Sequence, residues 1–356
     1  MKELKLMKGN EALAEAAIRA GCDAYFGYPI TPQSEVLEYL SREATNRTGM
    51  VILQAESEVA SINMVYGAAG TGKKIMTSSS SPGISLMQEG ISYIACAELP
   101  CLLVNVNRGG PGLGTIQPGQ GDYFQSVKGG GHGDYKLIVL APSTVQEMAD
   151  FVSEGFELAF KYRNPVLVLA DGALGQMMEK VELKPQVERT FEDLGWTTIG
   201  RRTDAEGKVI TSLYLKPEKM EEVNIHLQKK YREIEKNEVK FEAIDCEDAD
   251  YIFVAFGLVA RLCTKAAQLG REKGLKIGVI RPITLFPFPY ADIKKYASKV
   301  KGFMDVEMNA GQMVEDVRLA VEGEAPVEFY GRMGGIVPTP EEILEALETK
   351  LIGGGK

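Results

Sequence analysis

The stretch AYFGYPITPQSEVLEYL, residues 24–40, joins a short apolar run, a proline-rich loop and the start of an amphipathic segment. This order indicates a strand, a loop and a helix, and it recurs along the chain. Further strands are predicted at Val51–Leu53, Ile75–Thr77, Leu102–Val106, Leu137–Leu140 and Val166–Ala170, and helices at Asn10–Arg19, Gln33–Glu43, Glu56–Gly70, Pro82–Ala97 and Ser143–Lys161. Strands that alternate with helices in this way favour a parallel sheet covered on both faces.

A second, shorter α/β series occupies the C-terminal third of the chain. Its predicted strands are Tyr251–Ala255, Ile277–Ile280, Gly302–Val306 and Val327–Tyr330, and its helices are Ala260–Lys273, Tyr290–Ser298, Gln312–Val321 and Pro340–Glu348. The sequence therefore predicts a first domain over residues 1–182, a charged linker or arm over 183–248, and a smaller second domain over 249–356.

The charged middle segment has apolar residues at helical spacing, which are Met220, Val223, Leu227, Tyr231 and Ile234. One apolar face on an otherwise charged helix must be covered by something. We expect a connecting helix packed on the chain's own domains, and packing against a partner subunit is the alternative.

The composition excludes several classes of protein. Lys and Arg number 40 against 49 Asp and Glu, a net charge of −9, which leaves no electrostatic footprint for nucleic acid or an anionic membrane. No apolar run reaches the roughly 18 residues of a membrane helix. Charges also interrupt the N-terminal stretch MKELKLMKGNEALAEA, where a signal peptide has its apolar segment. We expect a cytoplasmic protein.

The cysteines and histidines argue against a metal site formed by this chain alone. The five cysteines form no CxxC pair, and there are two histidines, His132 and His226. We expect idle thiols in a reducing compartment and no iron–sulfur cluster on this chain.

Four unusual loops follow the first strands of the first domain. They are YPITP at 28–32, QAESE at 54–58, SSSSPG at 78–83 and NRGGPG at 107–112. In an open parallel sheet, ligands bind outside the carboxyl ends of the strands, where such loops converge. The four loops together predict a site at this edge.

Glu58 and Arg108 are the charged candidates in these loops. Glu58 begins a helix crowded with small residues and would face an apolar crevice. The alternative for an acid here is a first helical turn, favoured by the helix dipole, which Glu56 fits better. Arg108 ends an apolar strand, and its guanidinium suits a carboxylate held by two hydrogen bonds. An ion pair with a neighbouring loop explains Arg108 equally well.

Other residues of the loops have weaker signals. The prolines at 29 and 32 hold Thr31 extended, so that its hydroxyl can face the crevice. The serine run before Pro82 predicts a helix N-terminus with a serine cap. We expect His132, in a glycine-rich loop, to be a solvated histidine.

These motifs resemble the 2-oxoacid:ferredoxin oxidoreductases. YPITP, QAESE and the strand that ends at Arg108 carry the likeness to the superfamily. TSSSSPGISL, NRGGPGLGTIQPGQGDYFQ and GGGHGDY are more similar to the branch of the family that acts on 2-oxoisovalerate (3-methyl-2-oxobutanoate), in the subunit with the pyrimidine-binding domain. RPITLFPFP at 281–289 resembles the transketolase-C-terminal-like domain of that subunit.

The resemblance implies thiamine diphosphate chemistry. A 2-oxoacid loses carbon dioxide on the cofactor, electrons pass through iron–sulfur clusters to ferredoxin, and coenzyme A takes the acyl group. Glu58 would hydrogen-bond the aminopyrimidine ring of the cofactor, and Pro29 would shape the pocket for that ring. Arg108 would bind the substrate carboxylate, and Thr31 would hydrogen-bond the substrate near its reacting carbon.

Half of such a site has no counterpart in the sequence. Thiamine enzymes hold the diphosphate through magnesium with a GDG motif and a later asparagine, and the nearest match here is Ala170-Asp171-Gly172, with no asparagine between Asn164 and Asn224. We therefore expect magnesium and the iron–sulfur clusters on partner subunits. One partner would carry the diphosphate-binding domain, another would be ferredoxin-like, and the chain alone would be inactive.

Two alternatives stay open. A 2-oxoglutarate or broad-range enzyme of the same family would want a further cation near Arg108, and the nearest in sequence is Lys128. From a different class, the chain could be a non-catalytic α/β protein that binds a small carboxylate.

Overall fold

A computed structural model describes residues 3–190, 194–198, 200 and 208–353 of the chain. The strands are β1 (Glu3–Lys8), β2 (Ala24–Gly27), β3 (Val51–Gln54), β4 (Ile75–Ser79), β5 (Leu102–Asn107), β6 (Ile138–Leu140), β7 (Val166–Asp171), β8 (Met178–Leu183), β9 (Phe241–Ile244), β10 (Tyr251–Val254), β11 (Ile277–Pro282), β12 (Thr284–Phe286), β13 (Gly302–Glu307) and β14 (Val327–Gly331). The helices are α1 (Gly9–Arg19), α2 (Ser34–Thr48), α3 (Glu58–Ala69), α4 (Ser81–Cys96), α5 (Val145–Tyr162), α6 (Gly172–Gln176), α7 (Pro217–Asn237), α8 (Gly257–Glu272), α9 (Tyr290–Ala297), α10 (Met313–Val321) and α11 (Pro340–Leu347).

The first sheet has seven strands in the order β12-β6-β7-β5-β4-β2-β3. All neighbours are parallel except β12, which is antiparallel to β6. The predicted parallel sheet is confirmed. The carboxyl ends of β2, β4 and β5 lie side by side, because these strands are adjacent, and β3 closes the sheet as an exposed edge strand.

The second sheet has five strands in the order β14-β13-β10-β11-β9. Two short strands cross the predicted domain boundaries. β9 lies before residue 249 yet pairs with β11 in the second sheet, and β12 lies after it yet joins the first. The exchange fastens the two α/β units together, and the boundaries at 182 and 248 stay a prediction.

Helix α7 packs against the chain's own first domain, as the first of the two interpretations predicted. Leu227, Tyr231 and Ile234 are buried in the main hydrophobic core. The buried ammonium of Lys230 donates to the Glu98 carboxylate and to the main-chain oxygen of Arg163, both at 3.1 Å. Among the helices of the described residues, none is long and apolar enough to cross a membrane.

Candidate active site

Glu58 is the first residue of α3, and its side chain is buried with 5% of its surface exposed. Ser57 caps the helix by accepting from the Ala60 amide at 3.2 Å. The Ser79 hydroxyl lies 3.5 Å from Oε1 of Glu58. The expectation that Glu56 better fits the first turn is wrong, because the helix begins two residues later and leaves Glu56 exposed before the cap.

Two glycines let α3 and α4 run side by side in close contact. A β-carbon on Gly83 would lie 2.5 Å from Oε1 of Glu58, and one on Gly90 would lie 2.6 Å from the Ile62 side chain. Such distances are far below van der Waals contact. Bare α-carbons therefore provide the space in which the Glu58 carboxyl sits.

The loop after β2 carries Pro29 and Thr31, and both residues are exposed. Its next residues turn back into the fold, where the Pro32 oxygen accepts from the side-chain amides of Asn10 at 2.7 Å and Gln176 at 3.1 Å. The loop thus reaches from the end of β2 to α6, which follows β7.

Arg108 joins this loop to the one after β5. Its Nη1 donates to the main-chain oxygen of Thr31 at 2.9 Å, and its Nη2 donates to the main-chain oxygen of Leu113 at 2.8 Å. Nε is buried and has no hydrogen-bond partner among the described residues. Two main-chain carbonyls of neighbouring loops thus hold the guanidinium, where the alternative interpretation expected an ion pair with a neighbouring loop.

The serine run begins α4, as predicted, but the serine cap is absent. Ser80 stands at the cap position without a side-chain cap bond, because the Gly83 amide donates to the Ser80 main-chain oxygen at 2.7 Å and Pro82 has no amide hydrogen. The Ser81 hydroxyl instead accepts from the Arg108 amide at 3.1 Å.

Polar side chains that the sequence analysis did not single out lie beneath this edge. Tyr25, Ser78 and Gln33 form a buried chain, with 2.7 Å between the two hydroxyl oxygens and 2.6 Å from the serine to the glutamine oxygen. Asn105 and Asn107 are buried at the end of β5. The available signal was LLVNVN, in which amides interrupt an otherwise apolar buried strand.

A cleft of about 500 Å³ opens between the two α/β units beside Arg108. Its walls are the first turn of α4, the glycine-rich loop at 109–121 and second-unit residues that include Met308, Asn309 and Met333. Gln120, between two of the lining glycines, connects the two units: its main-chain amide donates to the Met308 oxygen at 3.0 Å, and its Oε1 accepts from the Met308 amide at 2.9 Å.

Asp171, the nearest match to a magnesium-binding motif, caps a helix. Its Oδ1 accepts from the amides of Ala173 at 2.9 Å and Leu174 at 3.1 Å. Burial raises the pKa of Asp171 to about 6. The described residues contain no group of three side chains placed to hold a metal ion. The five cysteines are free thiols, and burial raises the pKa of Cys101 to about 12.

His132 and Lys128 lie away from the Glu58–Arg108 edge. His132 is exposed beside the C-terminal half of α4, with Nδ1 3.4 Å from the Ser92 hydroxyl. The Lys128 ammonium pairs with the buried Asp316 carboxylate at 2.5 Å. This lysine is therefore engaged elsewhere and does not provide a second cation for Arg108.

Apolar side chains are exposed on β3, α3 and α4, the elements that precede, contain and pack beside Glu58. They are Val51 and Leu53 on the edge strand β3, Val59 and Met64 on α3, and Leu86 on α4. We call this set the open face. Exposed apolar residues gathered on adjacent elements are typical of a surface that another protein covers.

Comparison with known proteins gives the family. Residues 15–243 match the family model of the thiamine-diphosphate-binding domain of pyruvate flavodoxin/ferredoxin oxidoreductases, and residues 249–343 match core domain II of pyruvate:ferredoxin oxidoreductase. A ketoisovalerate oxidoreductase subunit VorB of Methanothermobacter thermautotrophicus is 50% identical over 96% of this chain and 97% of its own. A 2-oxoglutarate synthase subunit KorA of Archaeoglobus fulgidus is 38% identical over 98% of this chain and 100% of its own.

Solved structures agree with this assignment. The 2-oxoglutarate:ferredoxin oxidoreductase of Magnetococcus marinus, solved with 2-oxoglutarate, coenzyme A and succinyl-CoA bound, superposes with a TM-score of 0.85 at 28% identity, over 98% of this chain and 66% of that longer one. A split-gene transketolase shares the fold, with a TM-score of 0.61 at 13% identity, over 97% of this chain and 98% of that one. The predicted fold class and family are confirmed: the chain is an oxidoreductase subunit with a thiamine-diphosphate-binding domain, and it belongs to the 2-oxoacid:ferredoxin oxidoreductase family.

Proposed function

We propose that this chain supplies the pyrimidine half of a thiamine diphosphate site to a heteromeric enzyme that oxidatively decarboxylates 2-oxoisovalerate. The observation that carries the proposal is the buried carboxyl of Glu58, enclosed by Ser79 and the bare α-carbon of Gly83 at the sheet edge where Arg108 and Thr31 also lie. An acid without a basic partner, kept from water in a tight space, suits proton exchange with a ring nitrogen.

The residues of this edge fit one end of the cofactor. Thiamine diphosphate, when bound, supplies the nucleophilic carbon and the electron sink for decarboxylation. Glu58 would hydrogen-bond the aminopyrimidine ring and hold its proton, and Pro29 would border that ring. Thr31 would donate its hydroxyl to the substrate, while the outward N–H groups of Arg108 would bind the substrate carboxylate.

The diphosphate end has no matching residues on the described part of the chain. Asp171 uses its Oδ1 as a helix cap, which argues against a role as a magnesium ligand. We infer that a partner subunit supplies the magnesium and diphosphate contacts and covers the open face. A ferredoxin-like partner would carry the iron–sulfur clusters, and ferredoxin would take the electrons.

The choice of an apolar 2-oxoacid rests on the surroundings of Arg108. Leu113 and Ile116 are exposed apolar residues of the glycine-rich loop, and the Leu113 main-chain oxygen accepts from the guanidinium, whereas Lys128 pairs with Asp316. A second substrate carboxylate, as in 2-oxoglutarate, would lack a cation from this chain's nearest lysine. The 50% identity to a subunit named for ketoisovalerate supports the same choice. Loss of carbon dioxide and transfer of the acyl group to coenzyme A release an electron pair for ferredoxin.

The test uses the complex as it occurs in the cell. We would purify this chain anaerobically from its own cells, identify the co-eluting proteins, and measure ferredoxin reduction with 2-oxoisovalerate, 2-oxoglutarate and pyruvate in the presence of coenzyme A. We expect kcat/KM to be at least about tenfold higher for 2-oxoisovalerate than for 2-oxoglutarate. A preference for 2-oxoglutarate would refute the substrate assignment, and no turnover of any 2-oxoacid would refute the proposed function.

A further inference from the structure

The first turn of α4 contacts both charged residues of the candidate site. On one side, Ser79 and Gly83 enclose the Glu58 carboxyl. On the other, the Ser81 hydroxyl accepts from the Arg108 amide at 3.1 Å and donates to Oδ1 of Asn107 at 3.3 Å. Residues 79–83 therefore contact both the side chain of Glu58 and the backbone of Arg108.

Ser81 is itself held firmly. Its amide donates to Oδ1 of Asn105 at 3.1 Å, and the Asn105 amide group donates to the Asp122 carboxylate at 2.8 Å. Asn105 is fully buried and Asn107 nearly so. The Ser81 hydroxyl also lies 3.4 Å from the main-chain oxygen of Arg108, so it contacts both backbone polar groups of that residue from within a buried network.

The other hydrogen bonds of Arg108 go to loops and fix its position less firmly. Its guanidinium donates to the main chain of Thr31 and Leu113, which are exposed loop residues, and 84% of the Leu113 side chain is in solvent. Exposed loops move more than the helices and strands they connect. The Ser81 bond connects Arg108 to the first turn of a 16-residue helix that packs on the sheet.

We propose that Ser81 is a positioning residue that sets the place of Arg108 relative to Glu58, and so determines the affinity for the 2-oxoacid. The proposal rests on the proposed function for the identity of the substrate. Ser81 would act through the backbone of Arg108, which its hydroxyl contacts. Removal of its hydroxyl leaves the Arg108 amide without an acceptor inside the fold.

The test compares three variants of the assembled complex. Ser81→Ala removes the hydroxyl, Ser81→Thr keeps it, and Ser92→Ala removes a buried hydroxyl three turns further along the same helix. The readouts are KM and kcat for 2-oxoisovalerate, bound thiamine diphosphate, and the hydrogen exchange rate of the Arg108 amide.

For Ser81→Ala we expect KM to rise about tenfold, the Arg108 amide to exchange about tenfold faster, and kcat and bound cofactor to stay within about twofold, since loss of one hydrogen bond is worth about a factor of ten. Ser81→Thr and Ser92→Ala should match the wild type.

Faster exchange with an unchanged KM would overturn the link to substrate affinity. If Ser81→Ala both raises KM and loses bound cofactor, Ser81 has only a structural role. If Ser81→Thr is as impaired as Ser81→Ala, the hydroxyl is not the cause. If the wild-type complex turns over no 2-oxoacid, the proposed function fails. Separately, an unchanged hydrogen exchange rate of the Arg108 amide in Ser81→Ala would refute the positioning role of Ser81.

Discussion

Both α/β units have an acidic residue at or just after the carboxyl end of a strand, and the two residues differ in their hydrogen-bond partners. In the first, Glu58 follows β3 at the carboxyl edge, and its only described polar neighbour is a serine hydroxyl 3.5 Å away. In the second, Glu307 ends β13 and accepts from the amides of Gln312 at 2.9 Å, Met313 at 3.0 Å and Val314 at 3.2 Å, and from the Asn309 side chain at 2.7 Å.

A second acid of the second unit, Asp316, also has its oxygens occupied by donors of the protein. Asp316 accepts from the Tyr123 hydroxyl at 2.7 Å and pairs with Lys128 at 2.5 Å, and both partners belong to the first unit. Carboxylates whose oxygens are filled by the protein's own donors stabilise the fold. An acid left with little of its hydrogen-bonding capacity in use is available for a ligand. This contrast supports our proposal that the first unit presents the reacting acid, while Glu307 and Asp316 of the second unit stabilise the fold.

The largest effect should come from Glu58→Gln. The amide keeps the size of the side chain and removes its ability to take or give a proton, so we expect kcat of the assembled complex to fall by about 10²- to 10⁴-fold. Thermal unfolding and subunit composition should not change. Turnover at the wild-type rate would mean that Glu58, like Glu307, has only a structural role.

Glu307→Gln should produce the opposite pattern. One of its oxygens becomes an NH₂ group that faces amide donors, so we expect the free energy of unfolding to fall by roughly 2–4 kcal/mol. Urea denaturation of the isolated chain measures this loss. A variant as stable as the wild type would contradict the supporting role assigned to the second unit.

Gly83→Ala tests the space around Glu58. Its methyl group would lie 2.0 Å from the Ser79 hydroxyl and 2.5 Å from the Glu58 carboxyl, so one of them must move. We expect the free concentration of thiamine diphosphate that half-saturates the complex to rise about tenfold. Gly67→Ala on α3 is the matched control, since nothing lies within 4 Å of its added carbon. Equal cofactor binding in the two variants would argue against this space.

Arg108→Lys keeps the charge but loses the planar fork that two loop carbonyls hold. We expect KM for the 2-oxoacid to rise roughly fivefold to tenfold with cofactor binding intact, because about one hydrogen bond to the carboxylate is lost. Steady-state kinetics with saturating coenzyme A measures this change. An unchanged KM would mean that the guanidinium only holds the two loops and does not bind the substrate.

The last prediction concerns the stability of the chain and not its activity. Burial raises the pKa of Asp171 from 3.8 to about 6. The folded state then binds its proton more tightly than the unfolded state, so this contribution to stability is full below about pH 4 and is lost as pH rises through about 6. Asp171→Asn should flatten that part of the curve of unfolding free energy against pH by on the order of 1–2 kcal/mol. Identical curves for the two proteins would show that the carboxyl titrates normally.

Much of this molecule was readable from its sequence. The ten predicted strands lie within two residues of observed strands, because apolar runs such as LLVNV stand between clear polar loops. Four strands were missed. β1 and β8 have six residues each, but their charged residues hide the pattern, and they pair only with each other in a two-stranded sheet. β9 and β12, with four and three residues, carry too little periodicity to be recognised, and their pairing depends on distant partners. The roles of Glu58, Thr31, Arg108 and Pro29 came from the family resemblance and remain predictions.

What sequence could not give was the direction of individual bonds. The serine cap was wrong because the cap bond goes to the Ser80 main-chain oxygen, and the link from Ser81 to Arg108 joins residues 27 positions apart. Such contacts depend on how two strands and a helix meet, which local pattern does not encode.

We propose that this chain holds half of a thiamine diphosphate site. The most direct test is to measure bound thiamine diphosphate, with magnesium present, on the isolated chain and on the complex purified without oxygen. We predict about one cofactor for each copy of this chain in the complex and no saturable binding to the chain alone. Stoichiometric, magnesium-dependent binding by the isolated chain would contradict the claim.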